Sequence, residues 1–226
     1  GFEIDHLAVD EVGRLLPYMK TSDLVRACYC PTDGHLQPAE LVSAYVKVGK
    51  AHGVQYVVGS PVTGIATESG KVRGVRTADG EYHAPAVVNA GGPWSYLNAD
   101  LAGECLPTAA IGHYYLTTRP DPEHPVDRLS PAVRDRELRI YSRPESGGLI
   151  VGMYDDDPEV YDMSKLPADF DMSAMKASQA SIHVALLLDA AGQRFPWINP
   201  QTSMTITSGI MTFTPDGKPF CGKLPA

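Results

Sequence analysis

Apolar residues recur at intervals of three or four along residues 38–53, and this spacing predicts an amphipathic helix with one buried face. Pro38 suits the first turn, because the N–H that proline lacks would have no partner there, and Gly53 ends the helix. The predicted buried face consists of Leu41, Ala44, Tyr45, Val48 and Ala51.

A second helical pattern covers Ser173–Ala191, with Asp171 or Ser173 as its N-cap and Gly192 as its stop. The predicted buried stripe of this helix consists of Met175, Ile182, Ala185 and Leu186.

Short β-branched or apolar runs between turn residues predict strands, which have tight antiparallel turns before position 84. They are Asp23–Tyr29, Val54–Val58, Val62–Glu68, Lys71–Thr77, Glu81–His83, Ala86–Ala90, His113–Thr118, Glu137–Tyr141, Gly147–Met153 and Thr202–Thr207.

Gly91 and Gly92 follow the apolar run that ends at Ala90, and a helix is predicted from Pro93 to Leu101. A strand, a glycine turn and a helix start can direct backbone N–H groups at an anion. Equally, the two glycines can simply connect two packed elements, so both interpretations stand at this point.

Composition narrows the class of protein. The chain has 226 residues, 43% of them hydrophobic, which is enough for a folded core. The net charge of −8, without a long basic run, argues against nucleic acid as a partner, and no apolar stretch approaches the roughly 20 residues of a membrane span. The seven histidines lack HxH and HExxH spacing, so no metal site is predicted.

The four cysteines do not form a disulfide framework, and no secretory signal is visible, so we expect a cytoplasmic protein with reduced thiols. Cys28 and Cys30 share one face of a predicted strand. Neighbouring thiols in that geometry can react, although buried packing is the commoner role of such residues.

Four segments, in this order, carry a resemblance to a known family: Asp33–Pro38 before a helix, the meander from Val62 to Gly80, the run Val87–Ser95, and Thr214–Pro219. Together they resemble the FAD-dependent amine oxidoreductase superfamily of D-amino-acid oxidase, glycine oxidase and sarcosine oxidase. The section from His113 to Gly152 looks most like the dimethylglycine and sarcosine dehydrogenase branch.

The resemblance implies an α/β to α+β fold, in which a partial Rossmann-like FAD-binding domain with a β-meander adjoins a substrate domain with a mixed or antiparallel sheet. Residues 1–30 would end a first substrate-domain segment, 31–105 form the partial FAD domain, 106–206 the substrate domain, and 207–226 return to the FAD domain. The family's opening GxGxxG and closing flavin segment are absent from the sequence. We therefore expect an internal fragment that does not retain FAD by itself and is inactive alone.

By the same resemblance Val62 lies beside the adenine, and Asn89, Ala90, Gly91 and Gly92 approach the diphosphate and ribose. Asp216, Gly217 and Pro219 form the turn under the flavin.

The resemblance also implies that Tyr115, Tyr141 and Gly148 belong to the sheet that roofs the substrate. Met211 stands where related oxidases carry a carboxylate-binding Arg. Either the substrate carboxylate is held elsewhere, with Arg139 as a candidate substitute, or the substrate has no carboxylate at that point.

The implied reaction oxidises the C–N bond of a secondary or tertiary amine, such as sarcosine or dimethylglycine, by hydride transfer to the flavin. The partners are then a small amine substrate and an electron acceptor that the sequence does not identify. The alternative is a non-redox binding or scaffold subunit that keeps the fold without turnover. Met211, in place of an Arg, is the best argument for this alternative.

Overall fold

The chain between His113 and Met153 forms an antiparallel sheet, as expected from the sequence. The structure is a computed structural model that describes residues 3–167, 170 and 181–224. The chain divides into two units. The first comprises Gly1–Leu36, His113–Pro158 and Asp171–Gly209, and the second comprises Gln37–Gly112, Glu159–Phe170 and Ile210–Ala226.

The elements are numbered in chain order. They are β1 Asp5–Leu7, α1 Val9–Leu15, β2 Ala27–Tyr29, α2 Pro38–Ala51, β3 Val62–Glu68, β4 Lys71–Thr77, β5 Gly80–His83, a 3₁₀ helix Gly92–Trp94, α3 Ser95–Asp100, β6 Ala109–Thr118, β7 Val133–Asp135, β8 Ile140–Glu145, β9 Gly148–Met153, β10 Val160–Tyr161, a second 3₁₀ helix Met163–Lys165, α4 Ile182–Arg194 and β11 Met204–Phe213.

In the first unit, the end of β6 pairs with β9, β9 with β8, and β8 with β7, all antiparallel. One face of this sheet is the core. There Leu116, Leu149 and Val151 are fully buried and cluster with Leu187 of α4 and with Phe195. Side chains alternate across a strand, so the intervening positions of β6, β8 and β9 lie on the opposite face.

Helix α4 differs from its prediction in two ways. Its buried residues are Val184, Leu187, Ala190, Ala191 and Arg194, whereas Ile182, Ala185 and Leu186 are exposed. Gly192 does not stop the helix, because the last turn continues to the buried Arg194. A Cβ on Gly192 would lie 3.1 Å from the Ile198 carbonyl oxygen, a tight contact that glycine avoids. The predicted residues Asp171, Ser173 and Met175 lie outside the described residues.

Four further strand predictions are shifted. The strand predicted over Asp23–Tyr29 covers only Ala27–Tyr29, and the strand predicted over His113–Thr118 begins at Ala109. The run Glu137–Tyr141 is not one strand, because Arg139 has a positive φ of 55° and separates β7 from β8. The last predicted strand begins at Met204 and extends to Phe213. Its residues up to Gly209 belong to the first unit, and those from Ile210 belong to the second.

In the second unit, the predicted meander is confirmed as β3, β4 and β5, which pair antiparallel in sequence order. β10 pairs with the first half of β6 in the same unit. Helix α2 has the predicted start at Pro38 and ends two residues before Gly53, but the expectation of a buried face is wrong. None of its residues is buried, and Tyr45 is 68% exposed.

The runs Val54–Val58 and Ala86–Ala90 are not strands, contrary to prediction. A β-strand requires a hydrogen-bonded neighbour, and in the described part of the chain neither run has one. Val58 and Val88 are about nine-tenths exposed as a result. No helix among the described residues has the length and apolar character needed to cross a membrane.

Candidate functional site

An aromatic cluster covers the sheet face of the first unit that is opposite the core. Tyr115 of β6 and Tyr141 of β8 are both paired with Gly152 of the intervening strand β9, so their side chains share that face. His113 lies two residues before Tyr115 and therefore faces the same way. Tyr154 follows β9 and completes the cluster with ring contacts to His113 and Tyr141.

His113 and Tyr141 form the centre of this cluster. The His113 Nε2 lies 2.9 Å from the Tyr141 hydroxyl oxygen, and the two rings are stacked with centroids 5.7 Å apart. Gly152 makes this arrangement possible, because a Cβ at that position would overlap the Tyr141 ring. The glycine lets the phenol lie flat across the sheet.

The cluster is half-buried, and this controls the charge of its members. Burial lowers the pKa of His113 below its ordinary value. Burial raises the pKa of Tyr141 to about 12, and the nearby Tyr154 and Tyr115 act in the same direction. Both groups are therefore neutral near pH 7. In this contact either the Tyr141 hydroxyl or the His113 Nε2–H donates, according to the imidazole tautomer.

Arg134 of β7 supplies the cationic edge of the cluster. Its guanidinium carbon lies 5.4 Å from the centroid of the Tyr141 ring and 5.9 Å from that of Tyr154, within the range of a cation–π contact. Its Nη1 also donates to the Tyr154 hydroxyl at 3.4 Å. The face thus offers a neutral base, three phenols and a positive charge, a set that suits a small molecule with an amine and a carboxylate.

The structure brings together two of the five substrate residues expected from the sequence, Tyr115 and Tyr141. Gly148 begins β9, where a Cβ would collide with the Thr118 carbonyl, so its lack of a side chain serves strand pairing. Arg139 precedes β8 instead of lying on it, and its guanidinium pairs with Asp156. Met211 lies on β11 in the second unit and is 37% exposed.

Four members of the cluster were missed at the level of sequence: His113, Arg134, Gly152 and Tyr154. The two-residue spacing of His113 and Tyr115 was a usable signal, because it places both on one strand face. Arg134 and Gly152 depend on the strand register, which the sequence alone did not provide.

The predicted cofactor residues all lie in the second unit. Asn89 organises the first group, since its Oδ1 accepts from the Gly91 N–H at 3.2 Å and its Nδ2 donates to the Ser95 carbonyl at 2.8 Å. A Cβ on Gly91 would strike the Asn98 amide, so packing alone requires a glycine there. Ala90, between Asn89 and Gly91, is exposed, and Val62 begins β3 with 40% exposure.

Gly92 requires glycine for a different reason. Its φ of 53° is a left-handed conformation that other residues seldom adopt. A Cβ on Gly92 would meet only the Thr212 hydroxyl, at 4.0 Å, and that hydroxyl is buried without a hydrogen-bond partner in the described part of the chain. The turn therefore keeps an open backbone surface, as a bound diphosphate would need, and FAD fits these residues in that respect.

The second group forms a closed turn. The Gly217 N–H donates to the Thr214 carbonyl at 3.1 Å, and the Asp216 Oδ1 accepts from the Lys218 N–H at 3.0 Å. Gly217 has a φ of 68°, and Pro219 follows in exposed, extended chain. The Asp216 side chain thus stabilises the loop by its hydrogen bond to the backbone.

Comparison with known proteins agrees with this architecture. A family model described as FAD dependent oxidoreductase matches residues 1–226. Human mitochondrial sarcosine dehydrogenase is 29% identical over the whole chain, rat mitochondrial dimethylglycine dehydrogenase is 26% identical over 94% of it, and the mouse mitochondrial pyruvate dehydrogenase phosphatase regulatory subunit is 28% identical over all of it. The chain spans about a quarter of the length of these relatives, 24% of the human protein and 25% of the other two.

Among solved structures, L-proline dehydrogenase from P. horikoshii superposes with a TM-score of 0.81 at 22% identity, over 99% of this chain and 56% of that one. This likeness shows the fold. The match to the family model over the full chain shows the family: the chain belongs to the FAD-dependent oxidoreductases that include sarcosine and dimethylglycine dehydrogenases.

Proposed function

We propose that this chain is the core of an FAD-dependent oxidoreductase that oxidises the C–N bond of a secondary or tertiary amine, with an N-methylated amino acid such as sarcosine or dimethylglycine as substrate. The observation that carries the proposal is the neutral His113–Tyr141 pair on an aromatic sheet face. In this proposal the first unit binds the substrate and the second contributes to the cofactor site.

The chemistry explains why a neutral base is useful. An amine with an ordinary pKa is protonated near pH 7, and its nitrogen lone pair must be freed before the neighbouring C–H bond can be oxidised. In the tautomer whose Nε2–H donates to the Tyr141 hydroxyl oxygen, His113 can take that proton at Nδ1, because burial keeps its imidazole neutral. The contact with Tyr141 also fixes the orientation of the ring. Arg134 supplies a positive charge for a substrate carboxylate.

FAD, when bound, supplies the hydride acceptor. Asn89 holds the Gly91 and Gly92 turn, whose backbone surface would accept the diphosphate, and the Asp216–Pro219 turn would approach the flavin. The sequence has no GxGxxG turn, which normally supplies oriented N–H groups to the pyrophosphate. We therefore propose that the 226 residues alone bind FAD weakly and do not turn over, and a flavin fluorescence titration of the isolated chain tests this.

The second candidate is a binding or regulatory subunit without turnover. One relative is itself described as a regulatory subunit, which shows that such a role occurs among proteins similar to this chain. Met211, in place of a cationic residue, favours this candidate. Flavin content and reduction by amines discriminate the two. A cytoplasmic location also stays a proposal, since the relatives reported above are mitochondrial, and cell fractionation tests it.

The test of the base uses the natural protein that contains this chain, loaded with FAD. His113→Asn is expected to slow flavin reduction by an amine about 10²-fold at pH 7, and less at high pH where the free amine is present. Tyr82→Phe, on the exposed strand β5, is a matched control that should leave the rate unchanged. A His113→Asn rate equal to that of the unmodified protein at every pH would overturn the assignment.

Gly152→Ala tests the geometry without touching either polar group. Because a Cβ there overlaps the Tyr141 ring, the ring must move away from His113, and the rate should fall as in His113→Asn. Gly34→Ala, where a Cβ would meet nothing within 4 Å, is the control. Equal rates for the two alanine variants would show that the flat Tyr141 ring is not needed.

A further inference from the structure

The two-stranded sheet of β1 and β2 carries a thiol–imidazole pair that the proposed oxidoreductase site does not use. His6 and Cys28 are directly opposite each other in the antiparallel pairing, and the Cys28 Sγ lies 3.6 Å from the His6 Nδ1. Both residues are exposed to solvent. A neighbouring imidazole can take the thiol proton, and the resulting thiolate is the reactive form of cysteine.

A second thiol lies within reach. Cys30 follows β2 by one residue, and the Asp33 N–H donates to the Cys30 carbonyl at 3.2 Å, so the chain turns at this point. Extended chain places Cα atoms two residues apart at roughly 6.7 Å, the upper end of the range that a disulfide can span. A Cys28–Cys30 disulfide would thus form with strain and would be easily reduced, as is typical of reversible disulfides.

Two charged residues lie close to the pair in the sequence. Arg26 precedes β2 by one residue and is exposed, and in the alternation of the strand it falls on the side of Cys28. Asp5, the nearest carboxylate on β1, alternates with His6 and so points to the opposite face. On its own face Cys28 therefore contacts the His6 imidazole, and strand alternation puts Arg26 on that side as well.

We propose that Cys28, with His6 as its base and Cys30 as the resolving thiol, is a site of reversible oxidation by hydrogen peroxide. The thiol proton passes to His6 Nδ1, and the thiolate attacks one peroxide oxygen. The O–O bond breaks, giving a sulfenic acid on Cys28 and a hydroxide that leaves as water with the proton from His6. The Cys30 thiol then attacks the Cys28 sulfur, the S–O bond breaks, and a second water leaves. Both sulfurs are oxidised, and the peroxide is reduced.

The chain contains its own reference thiols. Cys105 and Cys221 are exposed like Cys28, and in the described part of the chain no histidine nitrogen bonds to either of them. The full chain is treated with limiting hydrogen peroxide, the remaining thiols are alkylated, and each cysteine is quantified by mass spectrometry. We expect Cys28 to be consumed about three- to tenfold faster than either reference thiol, with a Cys28–Cys30 disulfide that dithiothreitol reverses.

Two variants separate the roles. Cys30→Ser should leave Cys28 as a sulfenic acid that dimedone traps. His6→Asn should slow the oxidation of Cys28 to the rate of the reference thiols, while circular dichroism stays unchanged. If Cys28 in the unmodified chain reacts no faster than Cys105 and Cys221, or if His6→Asn folds normally and leaves the Cys28 rate unaltered, the proposal is wrong. The comparison within the unmodified chain decides the matter even if a variant fails to fold.

Discussion

Arg194 is the most heavily bonded cation in the described part of the first unit, and its removal should destabilise that unit strongly. Its side chain is only 4% exposed. Nε donates to the Asp135 carboxylate at 2.8 Å, and Nη1 donates to the Lys20 carbonyl at 2.7 Å and to Asp23 at 2.8 Å. One guanidinium therefore joins the end of α4 to β7 and to the loop before β2.

The cost of Arg194→Met follows from what it leaves behind. The Asp135 side chain is 9% exposed, so it would become a buried carboxylate without its cation, a change that costs about 3 to 5 kcal/mol in the free energy of unfolding. Asp23 is 45% exposed and adds little, since water can replace the lost contact. Methionine keeps most of the packing volume, so the loss should be electrostatic and not a cavity effect.

A second substitution checks that reasoning. Asp135 also accepts from the N–H groups of Glu137 and Leu138, both at 3.0 Å, and asparagine can keep those two bonds through its Oδ1. Arg194→Met combined with Asp135→Asn removes the stranded charge, so it should recover at least about 1 kcal/mol relative to Arg194→Met alone. The exposed, helical pair Arg14–Asp10 provides the control, and Arg14→Met should cost less than about 0.5 kcal/mol.

Urea unfolding followed by Trp197 fluorescence is the assay, in a Trp94→Phe background so that only the first unit reports. A titration adds an independent readout. Arg194 hydrogen-bonds to Asp23 and lowers the pKa of its carboxyl, so in Arg194→Met that pKa should rise towards its ordinary value of 3.8. The reasoning is refuted if Arg194→Met costs no more than Arg14→Met, or if the added Asp135→Asn makes the loss larger.

Three further predictions concern the proposed sites. In the natural protein, Gly92→Val should lower the flavin content more than it lowers the stability. The control is Gly103→Val, at a φ of 77° with open space around it, which should carry a similar strain of about 1 to 3 kcal/mol without loss of flavin. Equal flavin contents in the two variants would favour a packing role for Gly92. Met211→Arg should shift flavin reduction towards amino acids with a free carboxylate by about 1 to 3 kcal/mol in relative binding, and an unchanged order for glycine, sarcosine and dimethylglycine would place Met211 away from the substrate. Burial lowers the pKa of His113 from 6.5, so the folded state binds fewer protons there and loses stability as the pH falls below 6.5; in His113→Asn this loss should be shallower, and an identical pH dependence would contradict the lowered pKa.

Local patterns predicted the parts of the fold that depend on local contacts. The meander needs only tight turns and alternating residues, and the bounds of α2 follow from its apolar spacing and from Pro38. The local patterns of Val54–Val58 and Ala86–Ala90 predicted strands. A strand also needs a hydrogen-bonded partner strand, which no local pattern specifies. The buried face of α4 includes Arg194, whose three oxygen partners come from distant segments that no local pattern specifies.

In the candidate site, too, some residues could be predicted from the sequence and others depend on tertiary contacts. The family resemblance led to Tyr115 and Tyr141, and the structure places both on one sheet face. The contact of His113 with Tyr141 joins residues 28 apart and depends on the pairing of β6 and β8 with β9. That register, together with the missing Cβ of Gly152, is a tertiary property, so the paired base could not be predicted from spacing alone.

The most direct test of the proposed function is the visible absorbance of the natural protein that contains this chain, before and after an amine is added without oxygen. The proposal predicts a flavin spectrum that bleaches with sarcosine or dimethylglycine and keeps its absorbance with the corresponding carboxylic acid that lacks nitrogen. A protein purified without flavin and unable to bind added FAD, or a flavin that no amine bleaches, would contradict it and would favour the regulatory subunit.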